Sequence, residues 1–496
     1  MQAYRTVVFD EFHLYRGVEL SHILFLIYLA RQLHAFKKVV LLSATPHSEV
    51  MELLDTLFKP KVIDANIQVD FPVVMEEKQV CYPVQFEALP EIKGVVETVK
   101  NKLNEIEQEI RELRRQNNSL EYIPCVVILN SVIKAIQLED LLVEAGFDRK
   151  EIEPIRGLSA KGKRDFAGKL LVIGTSAIEV GVDFHCDYLI FEAGDAASFL
   201  QRFGRVARHK QGKAFLVADY REQEIIQNIP GAVDRDEFEK TVINTNTTAN
   251  AFAWFVRTFS GLITVYAQLR HMRKLVNETA RGNTDIVSKF DSWMTELMDG
   301  YANILGILKS MKLVYNTYKN FHNGVSGYAW LEDYESNMSF RTSLPSVDIF
   351  DWSEKRRGRD PEYSVDLITL VKRANNSPKY NEKMGKIYID GFGEYHAVWV
   401  NKGFLDEKSH DISIMRTTSG ISDLIVLQDG HKSSVCYLLT KPRAHIFVVV
   451  PKELRNRLDW QIPTFNCGKH GKYIMAIDGA ALLVKEIYRR YQKELL

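Results

Sequence analysis

The chain has 496 residues, 46 % of them hydrophobic and 26 % charged, enough apolar material for packed cores in about three domains. Lys plus Arg equals Asp plus Glu at 64 each, so no global field draws the protein to nucleic acid or membrane, and any such binding must come from local patches. The five cysteines form no CxxC pair, which argues against a zinc site or a disulfide framework, and the lack of a bilayer-length apolar run or signal peptide leads us to expect a cytoplasmic protein without a membrane partner.

In chain order, Val7, Val8 and Phe9 read as a strand that ends in Asp10-Glu11-Phe12-His13. Carboxylates at a strand's C-terminal end sit where an open α/β sheet binds its ligand. Asp10 is placed to hold Mg2+ through water and Glu11 to polarise an attacking water, although a strand that merely ends in polar residues would look similar. Leu20–Leu33 has helical spacing. KKVVLLSATPH follows as a second strand, its unbroken Val/Leu run suiting burial on both faces, and it ends in Ser43-Ala44-Thr45 before Pro46 stops it.

Residues 76–122 break this rhythm. Ile92, Val96, Val99, Leu103, Ile106, Ile110 and Leu113 recur at steps of four and three, which predicts one long connecting helix with an apolar seam. From Cys125 the strand-helix alternation resumes: CVVILN, KLLVIGT, CDYLIFEAG and KAFLVAD read as strands of a parallel, doubly wound sheet. A polar turn falls at Asn130-Ser131, and a second, carrying Thr175, Ser176, Glu179, Gly181 and Asp183, offers donors for a phosphate chain. Gln201–Arg208, QRFGRVAR, precedes the last strand. Arginines at steps of three predict a short helix with Arg202, Arg205 and Arg208 on one side, a guanidinium set suited to a phosphoryl group in transfer. A solvated basic helix is the plain alternative.

Beyond about 222 the pattern turns helical and aromatic; Phe252, Trp254, Phe255, Phe259, Tyr266, Trp293 and Tyr301 read mainly as core, with some able to stack on unpaired bases. Lys355, Arg356, Arg357 and Arg359 predict an exposed basic loop. Strands are expected at Lys386–Asp390, His396–Val400, Val435–Thr440 and Ala444–Val450, then an amphipathic helix from Ala480. The expected organisation is 1–75, 76–122 as connecting helix, 123–222 as the second sheet, 223–330 helical and 331–496 α+β.

DEFH after a strand, SAT after the next, TSAIEVGVDF and then QRFGRVAR resemble, in order and spacing, motifs II, III, V and VI of superfamily 2 DExH helicases, with motif IV near Asn130. The resemblance covers about residues 5–220 and implies two RecA-like lobes, the first incomplete. The DEFHLY box, the segment Gly157–Arg164 and the C-terminal extension are most similar to the type I CRISPR interference helicases, in a subtype I-D-like form without a fused HD nuclease. It implies ATP and Mg2+ as cofactors. Asp10, Glu11, His13, Gln201, Arg205 and Arg208 would be catalytic, with Mg2+ on Asp10 through water. Gly181, Asp183 and Arg202 would lie at the nucleotide, and Ser43, Thr45, Asn130, Ser131, Thr175 and Ser176 would hold single-stranded DNA or couple hydrolysis to its movement.

The sequence departs from that pattern in one respect. A phosphate-cradling GxxxxGK(S/T) belongs well upstream of Asp10 and occurs nowhere in these residues. A split or truncated translocase is therefore expected, one that needs a P-loop lobe in trans and works with a Cascade-like effector complex and a separate HD nuclease. An ATPase-dead nucleic-acid scaffold and a DExH RNA helicase fragment are the alternatives.

Overall fold

The computed structural model describes residues 5–43, 47–63, 82–91, 93–155, 166–175, 178, 185–192, 196–208, 210–218, 232–245, 252–307, 346–366, 370, 373–375, 378–381, 383–393, 398–400, 413–416, 425–427, 444–458, 462, 464–467 and 472–494. The fold is α/β, as expected, and divides into two units: Met1–Ile63 with Asn250–Leu496, and Asp64–Ala249.

The first unit begins with β1 (Thr6–Phe9) and β2 (Lys38–Leu41), paired in parallel with Val7 opposite Val39. The crossover between them is α1 (Gly17–Gln32), and α2 (Ser48–Phe58) follows. A helix that is apolar nearly all round has to be covered on every side. Val18, Leu20, Leu24 and Phe25 of α1 are fully buried accordingly.

The second unit is one six-stranded parallel sheet. Its strands are β3 (Val84–Pro90), β4 (Cys125–Ile128), β5 (Ile152–Ile155), β6 (Leu171–Gly174), β7 (Tyr188–Glu192) and β8 (Gly212–Ala218), in the order β3-β8-β7-β4-β6-β5. Parallel strands covered on both faces read as continuous apolar runs, and all four residues of β4 are buried. The α3 helix (Val95–Gln116) lays Val99, Leu103, Ile106 and Ile110 on one face beside α4 (Val132–Glu144). The opposite face takes α5 (Ala196–Phe203) and α6 (Arg235–Thr245), with the Phe238 ring 4.5 Å from that of Phe203.

These elements correct three expectations. The stretch 76–122 is not one helix: it contributes edge strand β3, whose Val84–Pro90 pairs residue for residue with β8, and the apolar seam starts only at Val95. The sheet has six strands rather than four, because short IEPI was not read as β5. The helical stretch 223–330 is shared between the units, since Phe238 and Val242 of α6 complete the aromatic core of the sheet.

The first unit resumes with a 3-10 turn, Ala253–Arg257, then α7 (Phe259–Ala280) and α8 (Thr284–Ile304), held as an antiparallel pair in part by Arg273 on Asp291 at 2.5 and 2.7 Å. Strands β9 (Ser346–Asp351), β10 (Glu362–Asp366), β11 (Lys379–Asn381) and β12 (Lys386–Ile389) form a sheet in the order β10-β9-β12-β11, with the short helix α9 (Trp352–Arg356) after β9. β13 (Val398–Val400), β14 (Ser413–Arg416), β15 (Ile425–Leu427), β16 (Ala444–Pro451), β17 (Thr464–Cys467) and β18 (Tyr473–Ile477) pair as β13-β15 and β14-β16-β18-β17, and α10 (Gly479–Glu494) ends the chain. Leu24 and Phe25, Leu262 and Tyr301, Ile446 and Leu482 share one core. The aromatics Phe252, Phe255, Tyr266 and Tyr301 are buried in it, and Trp254, Phe259 and Trp293 pack against it.

The expected basic loop is instead α9 and a turn. Glu354, 3 % exposed, holds Arg357 at 2.8 Å and Arg359 at 3.0 Å, because a buried carboxylate needs cations. The strand expected at Val435–Thr440 lies outside the described residues. Among the described residues no helix is long and apolar enough to cross a membrane.

Candidate functional site

In the first unit, Asp10 follows the last residue of β1 and is exposed; its Oδ1 accepts the Glu11 amide at 2.9 Å. Glu11 takes a left-handed conformation, φ 51 and ψ 44, which costs a non-glycine residue roughly 1 kcal/mol and is retained where surrounding structure enforces it. The enforcement is visible: the Phe12 amide donates to the Leu42 carbonyl at 2.8 Å, and the Leu42 amide to the Phe9 carbonyl at 2.9 Å. The turn after β1 is thereby tied to the turn after β2. His13, 3 % exposed, spans the same gap by its side chain, with Nε2 3.5 Å from Glu11 Oε2 and Nδ1 3.1 Å from Ser43 Oγ. The imidazole thus joins Glu11 to the hydroxyl at the second strand end. Exposed carboxylate oxygens at a strand end are the hard donors Mg2+ takes, alongside water and phosphate, so Asp10 fits that ion.

In the second unit, the C-terminal strand ends gather Asn130, Ser131 and Thr175. Ser131 is the N-cap of α4, and Thr175 is 7 % exposed after Gly174. Gly174 is required there by close approach: a Cβ would meet the Ile155 carbonyl at 2.5 Å. Two residues that sequence reasoning passed over organise this edge. Glu192, the last residue of β7, accepts the Asn130 amide at 2.7 Å and pairs with Lys134 of α4. A lone acid closing the otherwise apolar YLIFE was the signal.

Arg202 belongs to the same network. It is fully buried, and its Nη1 donates to Asn130 Oδ1 at 2.7 Å and to the Glu192 carbonyl. From inside the protein it ties the Asn130 turn to the end of β7.

The three arginines do not share a helical face. α5 ends at Phe203, and the remainder turns: the Arg205 amide bonds the Arg202 carbonyl at 2.9 Å, Ala207 has φ 57, and Val206 bridges Cys186 ahead of β7. The turn is fixed by the Tyr82 amide on the Ala207 carbonyl at 2.8 Å and by Arg208 Nε on the Gly204 carbonyl at 3.0 Å. Arg205 and Arg208 therefore lie by the N-terminal strand ends, opposite Asn130 and Thr175. Burial, then Asp187, pushes the Cys186 thiol up, and Arg208 and Arg205 pull against it, which fits their position at that edge. Gln201 is half-buried near the end of α5. Thr45, Ser176, Gly181 and Asp183 lie outside the described residues.

Residues 98–211 match the family described as CRISPR-associated nuclease/helicase Cas3, C-terminal; this segment is Cas3-like, in agreement with the resemblance read from its motifs. No curated protein matches the chain. Among solved structures, the AMPPNP complex of T. fusca Cas3 is 12 % identical with a TM-score of 0.43, covering 78 % of this chain and 51 % of that one. The ADP complex of T. fusca Cas3 is 13 % identical with a TM-score of 0.38, at 70 % and 42 % coverage. The DEAH/RHA helicase HrpB of Escherichia coli is 14 % identical with a TM-score of 0.32, at 52 % and 36 %. The chain thus spans about half or less of the length of these structures.

Proposed function

We propose that this chain is part of an ATP-driven, single-stranded DNA translocase of type I CRISPR interference, in a subtype I-D-like form that works with an effector complex and a separate nuclease. The observation that carries the reading is the Glu11–His13–Ser43 chain across two parallel strand ends. It joins a candidate water-activating acid to a candidate coupling hydroxyl, and the family match over 98–211 supports the same reading. Asp10 would take Mg2+ through water, Glu11 would orient the attacking water, and Arg205 and Arg208 would meet the charge of the transferred phosphoryl group. Asn130, Ser131 and Thr175, at the other edge of their sheet, would face the nucleic-acid backbone. No GxxxxGK(S/T) occurs in the sequence, so turnover requires a P-loop segment joined to these residues or supplied in trans.

Binding tests the DNA half of the proposal without ATP. Labelled single strands should bind with an affinity that falls steeply as salt rises and depends little on sequence. Thr175→Ala should weaken binding severalfold, and Glu11→Gln should leave it unchanged. Affinity indifferent to salt, or lost equally in both variants, would count against the assignment. If binding holds but a P-loop lobe restores no turnover, the chain is a nucleic-acid scaffold. Equal or tighter binding to RNA would point to an RNA helicase.

A further inference from the structure

The sheet β10-β9-β12-β11 buries Ile349, Ile387 and Ile389 on one face. On the other face its register aligns four residues in a row: Glu362 opposite Phe350, Phe350 beside Tyr388, and Tyr388 opposite Lys379. Trp352, one step beyond β9 and 43 % exposed, extends the row. Its ring lies 4.9 Å from Phe350 and 6.1 Å from Tyr388, nearly parallel to the latter at 26°.

Trp352 is exposed and the Phe350 and Tyr388 rings beside it are half-buried, so the three contiguous rings leave apolar surface within reach of a partner, and such surface often marks a contact. The charges around the rings narrow the occupant. Of the acids on this face, Glu362 is held by Lys386 at 2.5 Å, Asp390 by Arg356, and Asp348 accepts from Ser364 at 2.5 Å. Two exposed cations remain, Lys355 over the Trp352 and Phe350 rings at 5.0 and 5.6 Å, and Lys379 at the far end of the row. Among the described residues no carboxylate pairs with either. A ligand complementary to this surface carries flat π faces and negative charge on either side of them.

We propose that this face is a stacking platform for the unpaired bases of a single-stranded nucleic acid, with Trp352 and Tyr388 under the bases and Lys355 and Lys379 on the phosphates. Base stacking on an exposed aromatic tolerates any sequence, and the flanking cations add a salt-dependent component. The platform is argued from its own register, rings and charges, and does not depend on Asp10, Thr175 or the arginine turn being correctly assigned.

The test uses the full chain without nucleotide, titrated with labelled thymidine and uridine strands of about 12 nucleotides. Trp352→Ala should weaken binding about 5- to 100-fold, and Trp352→Phe should restore most of it. Lys355→Ala combined with Lys379→Ala should flatten the dependence on salt without touching the rings, which keeps the test valid if Trp352→Ala fails to fold. Similar losses for both strands indicate stacking of bases in general, and a loss for one alone assigns the platform to DNA or to RNA. Unchanged affinity in Trp352→Ala and in the double lysine variant overturns the proposal even if Thr175→Ala abolishes binding. So does a proline-rich peptide that binds this face while single strands do not compete.

Discussion

In a complex that contains a P-loop lobe, Arg205→Ala and Arg208→Ala should each reduce DNA-stimulated ATP hydrolysis by about 10³-fold or more, the usual consequence of removing a positioned arginine from a phosphoryl-transfer site. The two should not fail in the same way under conservative change. Arg208 bonds the Gly204 carbonyl through Nε and so presents its remaining nitrogens in a fixed direction; a lysine keeps charge but loses that bond, and Arg208→Lys should recover little. Glu11→Gln should match the arginine losses, because the amide keeps the shape of the acid but cannot polarise water. Phosphate release measured with and without DNA distinguishes these outcomes, and turnover close to the parent in Glu11→Gln would show that Asp10–His13 is not the hydrolytic box.

Arg202→Ala is expected to act on stability. The side chain is wholly buried and bonds both Asn130 Oδ1 and the Glu192 carbonyl, and removing it strands those acceptors beside the buried Glu192 carboxylate. Hydrogen bonds from a charged donor contribute about 1.5–3 kcal/mol each, so the sheet should lose about 3 kcal/mol or more, read as a lower urea midpoint at unchanged slope. Both bonds leave one nitrogen, Nη1, so a lysine ammonium can supply the donors, but its shorter, unforked head leaves the rest of the guanidinium's fully buried space unfilled, and Arg202→Lys should rescue only part. Arg205→Ala, in the turn outside the helix, should shift the midpoint by well under half as much. Equal shifts for the two arginines would refute the distinction drawn between them.

The strands with continuous apolar runs were legible in the sequence, because burial on both faces of a parallel sheet writes itself as Cys125–Ile128 or Tyr188–Glu192. β3 was legible and passed over: Val84, Phe86 and Ala88 alternate with exposed Gln85 and Glu87, the period-two pattern of a half-buried strand, but the helical seam that begins at Val95 drew the whole stretch into one element. The arginine stretch shows the complementary limit: spacing by three is a helical pattern, but Gly204 and the bridge from Val206 to Cys186 end the helix first. The acidic box could be located, whereas the His13 link to Ser43 depends on how β1 and β2 are offset, which local sequence does not state. Glu192 was hidden for a simpler reason: its partners come from α4 and the Asn130 turn, 58 and 62 residues away.

The shared core of the first unit has a consequence for synthesis. α1 would meet Leu483 of α10 at 3.1 Å if Gly17 carried a Cβ, and its apolar faces also pack against α7 and α8. Those partners leave the ribosome only after the whole six-stranded sheet has been made. At ~5–20 residues per second, an all-round apolar helix waits on the order of half a minute or more for its cover. During that interval Leu20, Leu24 and Phe25 are the segment a holding chaperone would occupy, and the inserted sheet, contiguous in sequence, can close first.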